Sequence, residues 1–310
     1  MRIKLPALFT LTGNLHPGNS ILQLSLVCLM ASFPSKGDAQ KIKFMSNGME
    51  RSFILHLPTG YSNKDTMAYP LILCLHGQGS NGREMKMYTG INKTGNDLKA
   101  IIAYPTTTGE LWPYADTVAI RTETTYMLDL IGYLAVHYKA DLNRVYMSGM
   151  SSGGIFTYTF ASRYPLSVKG IAVVSGNITL LAKEDVEHNA SILPPLLLIH
   201  GTKDEILYNG RAGFCMNAED SFDTYRSACQ DQSPVIQWMP DLRKDKCTVE
   251  KINFSCPEKM VYYRIHNGGH HWPGANFNAA LFTSLRLGRY CRDISANDAI
   301  KDFILNIEGR

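Results

Sequence analysis

The strand-like run Arg144-Val-Tyr-Met147 passes through Ser148-Gly-Met-Ser-Ser-Gly-Gly154 straight into a helical pattern over 154–163. A strand can give way to a helix this abruptly only if neighbouring backbones pass close together. The glycines two positions either side of Ser151 remove the Cβ atoms that would prevent it. Such a turn lifts the middle serine's hydroxyl clear of the sheet end. It also aims the free N–H groups of the new helix at whatever negative charge forms beside it. A plain Gly/Ser-rich loop is the alternative, and the flanking strand and helix patterns argue against it.

The rest of the chain fits a strand-then-helix repeat. Candidate strands are Phe53–Leu57, Leu71–Leu75, Ile101–Tyr104, Arg144–Met147, Ile171–Val174, Leu196–Ile199 and Met260–Ile265. Several are apolar at consecutive positions, as strands covered on both faces should be. Helical patterns fall at Thr122–Tyr138, Gly154–Arg163, Glu219–Ala228 and Ala296–Ile307. In the first, Met127, Leu130, Ile131, Leu134 and Tyr138 form one stripe. With 310 residues, 45% hydrophobic and 19% charged, the chain can bury one large core. The expected fold is α/β, a mostly parallel central sheet with helices on both faces, as one domain over residues 40–310.

Placed on that turn, Ser151 is a candidate nucleophile, which needs a base and an acid to orient the base. Ser152 is a weaker candidate, because its frame begins at Met150 instead of a glycine. Leu196-Leu-Leu-Ile-His-Gly-Thr-Lys-Asp204 puts an Asp just past a buried strand. His266-Asn-Gly-Gly-His-His-Trp-Pro-Gly274 follows the strand Met260–Ile265. Asp204 and His270 thus both stand at strand C-terminal ends, where such sheets collect functional groups. A capping role for Asp204 and a metal cluster of His266, His270 and His271 are the competing readings. No H-E-x-x-H and no acid or thiolate at ligand spacing supports the cluster, so no metal or cofactor is expected. The oxyanion donors expected are the backbone N–H groups of Ser152 and Gln78, the latter in Leu75-His-Gly-Gln-Gly79. The same segment contains Gly77-Gln-Gly-Ser-Asn-Gly82, a dinucleotide-like pattern. The next strand, however, runs into Pro105 and Thr106 and supplies no acid for a ribose.

Leu75-His-Gly-Gln-Gly-Ser80, Arg144–Gly154, His200-Gly-Thr-Lys-Asp204 and Gly268-Gly-His-His-Trp-Pro-Gly274 together resemble the signatures of one family. It comprises the secreted feruloyl esterases, acetylxylan esterases and polyhydroxybutyrate depolymerase-like esterases of the α/β-hydrolase superfamily. The resemblance spans about residues 50 to 308, and Arg292-Asp-Ile-Ser-Ala296 fits the family's ending. It implies a Ser151–Asp204–His270 triad, choosing His270 over His271 and Asp204 over Glu205. It also implies a disulfide between Cys229 and Cys256, with Cys247 as the rival partner for Cys229. The chain departs from the pattern at Ser227-Ala-Cys229, in the cysteine-bearing segment Asp231–Cys256, and over Asn276–Tyr290, which resembles an insertion. Trp112 and Trp272 are candidates for an aromatic wall of the substrate pocket, or else for core positions. Trp238 has no assigned role.

The chain begins with Arg2 and Lys4, followed by an apolar run Ile21–Ala31 and small residues at Gly37 and Ala39. Residues 1–39 therefore read as an export signal, with the mature protein secreted or periplasmic. Removing Arg2, Lys4, Lys36 and Asp38 takes the formal charge from +4 to +2. That balance, with no Lys/Arg run, argues against a nucleic-acid partner, and no second apolar stretch is long enough for stable membrane insertion. Cysteines crowd the last third of the chain, a pattern that suits an oxidising compartment. The expected activity is a serine carboxylic ester hydrolase acting on feruloyl or acetyl esters of plant polysaccharides or their fragments. The alternatives are a polyhydroxyalkanoate depolymerase and a non-catalytic carbohydrate-binding relative.

Overall fold

A computed structural model describes residues 40–229, 233–254, 256, 259–276 and 287–310, all within one compact unit, Gly37–Arg310. The expected export signal, and the parts of 231–256 and 276–290 not included above, lie outside the described residues. Ten strands are hydrogen-bonded into one sheet: β1 (Gln40–Ser46), β2 (Met49–His56), β3 (Tyr69–Leu75), β4 (Ile101–Thr106), β5 (Ala140–Met150), β6 (Gly170–Val174), β7 (Leu196–Gly201), β8 (Val235–Trp238), β9 (Thr248–Phe254) and β10 (Met260–His266). Their order is β1-β2-β4-β3-β5-β6-β7-β10-β9-β8. The six central strands, from β4 to β10 in that order, run parallel, and an antiparallel pair closes each side.

Among the described residues seven α-helices cover the sheet: α1 (Gly82–Thr89), α2 (Asn92–Leu98), α3 (Thr117–Tyr138), α4 (Ser152–Arg163), α5 (Leu180–His188), α6 (Ala218–Tyr225) and α7 (Ala296–Ile307). Alternate side chains of the central strands point to opposite faces. Leu71, Leu73, Val145 and Val173 share one buried cluster with residues of α3 to α6. Ile72, Cys74, Tyr146 and Val174 share another with residues of α1, α2 and α7. Both faces are thus dry, and a truncation such as Leu73→Ala should cost about 2–5 kcal/mol. This is the expected α/β-hydrolase architecture, with three antiparallel margin strands, β1, β8 and β9, that the strand list above does not contain.

The additional strands have local causes. β1 and β2 meet at Asn47-Gly48, where Ser46 pairs with Met49 and both loop residues have positive φ (47° and 76°). That is a two-residue hairpin turn of the kind Asn-Gly favours. β8 is exposed at all four positions, so it carries no alternation. In β9 the acid Glu250 is buried, paired with Arg264 at 2.8 Å, which breaks the apolar pattern. α3 begins at Thr117, five residues before the expected start, because Asp116 caps it by accepting from the Val118 and Ala119 amides. α6 ends at Tyr225, short of Ala228. α7 has the expected bounds.

Candidate active site

Ser151 sits between the last residue of β5 and the first of α4, with φ 56° and ψ −122°. A non-glycine residue there carries roughly 1–3 kcal/mol of backbone strain, which the surroundings must hold in place. They do so by close backbone packing. A Cβ on Gly149 would strike the Gly153 carbonyl, and one on Gly153 would strike the carbonyls of Leu75 and His76. The Ser151 N–H donates to Val174 O (3.0 Å), and its carbonyl accepts from Ile155 N–H (2.9 Å). Ser152 opens α4, so its N–H has no carbonyl one turn back.

The loop after β3 runs beside this turn, where a Cβ on Gly77 would lie 3.4 Å from that of Ser151. Its shape is fixed by His76, whose Nδ1–H donates to Gly77 O (2.8 Å) while Nε2 accepts from Thr107 N–H (3.4 Å). Burial pushes the His76 imidazole below its ordinary pKa, which favours this neutral form. The Gly79 N–H is committed to Glu110 O and that of Ser80 to Gly77 O. Asn81 caps α1 by accepting from the Arg83 and Glu84 amides. The glycine pattern 77–82 therefore serves a turn and a helix cap.

Asp204 and His270 meet through the loops after β7 and β10. These pack backbone to backbone, since a Cβ on Gly201 would strike the Gly268 carbonyl. Asp204 is 2% exposed and His270 4%. Asp204 Oδ2 accepts from His270 Nδ1 (2.7 Å) and from His200 Nε2 (2.8 Å), while Oδ1 accepts from Ile206 N–H (2.9 Å) and Leu207 N–H (3.0 Å). Burial alone would raise the carboxyl's pKa. The bonds from His200 and His270 outweigh it and hold Asp204 well below the usual carboxylate range. A carboxylate can only accept, so His270 carries its proton on Nδ1 and leaves Nε2 as an acceptor. The His270 N–H donates to Leu287 O (2.6 Å) and that of Gly269 to Arg289 O (2.8 Å), fixing the loop from its far side. Ser151 Oγ and His270 Nε2 are not hydrogen-bonded in this structure. Sites of this kind often close that bond only around a substrate.

One expectation needs correction. Trp112 and Trp272 are both fully buried and present no ring face to a substrate. Trp112 stacks on Phe156 (5.1 Å) and donates from Nε1 to His76 O (3.0 Å). Trp272 donates from Nε1 to Asn297 Oδ1 (3.0 Å). Each indole has found a polar partner in the interior, as buried tryptophans must. The three histidines do not converge: His266 Nε2 bonds Glu250 (3.1 Å) and His271 Nε2 bonds Gly288 O (3.1 Å). Cys229 and Cys256 are joined in a disulfide, as the resemblance implied. His200 and His76 were not among the sequence candidates, although each stands in a quoted motif.

Residues 51–235 match the family described as Esterase PHB depolymerase. The chain belongs to this family of carboxylic ester hydrolases. Over 282 residues it is 23% identical to NocK of Nocardia uniformis subsp. tsuyamanensis, an esterase by name, covering 83% of this chain and 80% of that one. Over 156 residues it is 29% identical to the bifunctional acetylxylan esterase/xylanase XynS20E of Neocallimastix patriciarum, covering 49% of this chain and 22% of that protein. In fold it is similar to an acetyl xylan esterase from Aspergillus awamori, with TM-score 0.58 and 15% identity over 76% of this chain and 94% of that one.

Proposed function

We propose that the protein is an exported serine esterase that removes feruloyl or acetyl groups from plant polysaccharides, using Ser151, His270 and Asp204. The single observation that carries the reading is the Asp204–His270 bond at 2.7 Å, at the same end of the sheet as a serine forced into a strained strand-to-helix turn. In this mechanism Ser151 Oγ attacks the acyl carbon and gives its proton to His270 Nε2. The N–H groups of Ser152 and Gln78 hold the oxyanion. His270 then protonates the leaving alcohol, and water cleaves the acyl-enzyme by the same steps in reverse. Asp204 orients the imidazole and balances its charge. The acetylxylan relatives favour a polysaccharide ester. An exported chain of near-neutral mature charge suits an uncharged extracellular polymer, and no helix among the described residues is long and apolar enough to cross a membrane. The family description itself favours a second reading, depolymerisation of polyhydroxybutyrate.

A fluorophosphonate probe should label the protein at Ser151, whereas a carbohydrate-binding relative without activity would stay unlabelled. The substrate is tested by kcat/KM on methyl ferulate, acetylated xylan and short hydroxybutyrate oligomers. If the oligomers are preferred by more than about tenfold, or about 1.4 kcal/mol of transition-state binding, the polysaccharide reading gives way to the depolymerase reading.

A further inference from the structure

Outside the site, two thiols face each other in the interior. Cys247, beside the start of β9, is 0% exposed, and Cys291, in the segment leading to α7, is 3% exposed. Their sulfurs and a carboxylate oxygen of Asp245 all lie within 4.8 Å of one another. They stand at the middle of a seam. Arg289 Nη1 donates to Asp245 O (3.1 Å), and Arg292 N–H donates to Asp245 Oδ2 (2.9 Å). The same segment, through Leu287 and Arg289, accepts the amides of His270 and Gly269.

We propose that Cys247 and Cys291 form a second disulfide, bonding the start of β9 to the segment that holds the His270 loop. The inference rests on the export reading above, because cytosolic reductants would keep such a pair reduced. A cation is the competing occupant of this cluster. Its third ligand is already engaged, since Asp245 Oδ2 also faces Arg292 Nε (3.4 Å) and Oδ1 accepts from Cys247 N–H (3.2 Å). With a guanidinium on the carboxylate, pairing of the two sulfurs is favoured over a positive ion beside them.

The bond forms by exchange with a small or protein disulfide. One thiolate attacks the oxidant and releases a thiol, and the second attacks the mixed disulfide and releases another. Two electrons and two protons thus pass from Cys247 and Cys291 to the oxidant. Burial pushes the Cys247 thiol up to about 12, with Cys291 nearby adding to the shift, and burial raises Cys291 as well. The thiolate is the reacting form, so the folded thiols are slow to oxidise and the step belongs to folding, before the seam closes.

The test is to refold the protein with reduced and oxidised glutathione, alkylate it under denaturing, non-reducing conditions and map the peptides. The expected result is a Cys247–Cys291 linked peptide beside Cys229–Cys256, with Cys74 and Cys215 alkylated. Cys247→Ser should free Cys291 for alkylation and lower Tm by several degrees. Alkylation of both Cys247 and Cys291 in the refolded wild type would overturn the proposal. So would one zinc ion per chain by native mass spectrometry, with both thiols becoming reactive only after chelation. The readout needs no ester substrate, so its failure is separate from failure of the esterase reading.

Discussion

At the end of β5 the chain is held by exclusion, whereas at the end of β7 it is held by attraction. Ser151 keeps its strained backbone because Gly149 and Gly153 let three backbones touch, and two main-chain bonds lock the result. Asp204 sits in ordinary turn geometry, and its position comes from four hydrogen bonds to its carboxylate. A nucleophile must stay reachable, so few partners can surround its hydroxyl and the backbone has to place it. An orienting acid works out of contact with the substrate, so polar bonds can enclose it completely.

Activity gives the largest contrast. Ser151→Ala should lower kcat on an aryl acetate by on the order of 10⁶-fold, and Asp204→Asn by on the order of 10⁴-fold, since the acid orients without reacting. Steady-state kinetics on folded variants checks both, and near-wild-type activity in either removes that residue from the triad. Stability should move in opposite directions at the two turns. Ser151→Gly relieves the positive φ and should raise stability by about 1 kcal/mol. Asp204→Asn either sets an amide N–H₂ against the Ile206 and Leu207 N–H donors or forces His200 and His270 into the other tautomer, and should cost about 1–3 kcal/mol. Denaturant titration distinguishes these, and a loss at Ser151→Gly would show that the turn is not strained.

His200 sharpens the comparison by its acid behaviour. The depressed Asp204 pKa contributes stability that is fully present above the unfolded Asp value of about 3.9 and is lost as pH falls toward the much lower folded value. His200→Phe removes the first of the bonds that hold it down, so the acid unfolding midpoint should rise, with kcat reduced by about tenfold through a looser His270. Circular dichroism against pH would show it, and an unmoved midpoint would mean His200 only fills space. The smallest effect concerns the tryptophans. Trp112→Phe and Trp272→Phe should change KM for a feruloyl ester less than about twofold while each costs about 1 kcal/mol for its lost hydrogen bond. A tenfold rise in KM at constant kcat would restore their role in binding.

Most of the parallel core, and the three triad candidates within it, could be read from the sequence because each signal is local. Leu71–Leu75 and Leu196–Ile199 are apolar at every position, and Ser151, Asp204 and His270 each follow a strand that the sequence marks, that of Asp204 being wholly apolar. His200 was not legible, because a histidine ending a strand acquires its meaning only from an acid four residues on, across a turn whose shape is tertiary. The tryptophans failed for a related reason: a large amphipathic ring suits a pocket wall or a core equally until its neighbours are known. β1 did carry a signal, the alternation Lys41-Ile-Lys-Phe44 ahead of Asn47-Gly48. β8 and β9 did not, because one is exposed throughout and the other buries a glutamate for Arg264 and His266.

The Trp112–His76 bond also has an optical consequence. The chain has three tryptophans; two are sealed in the interior, while Trp238 is 57% exposed and stacked on His266. An aqueous quencher such as iodide therefore silences Trp238 and leaves a blue-shifted emission from the other two. Trp112 lies between Phe156 of α4 and the carbonyl of His76, one bonded to the helix behind Ser151 and the other to the loop beside it. With Trp272 replaced by Phe, the unquenched emission comes from Trp112 alone and reports, without a dye, whether that helix and that loop stay packed against each other.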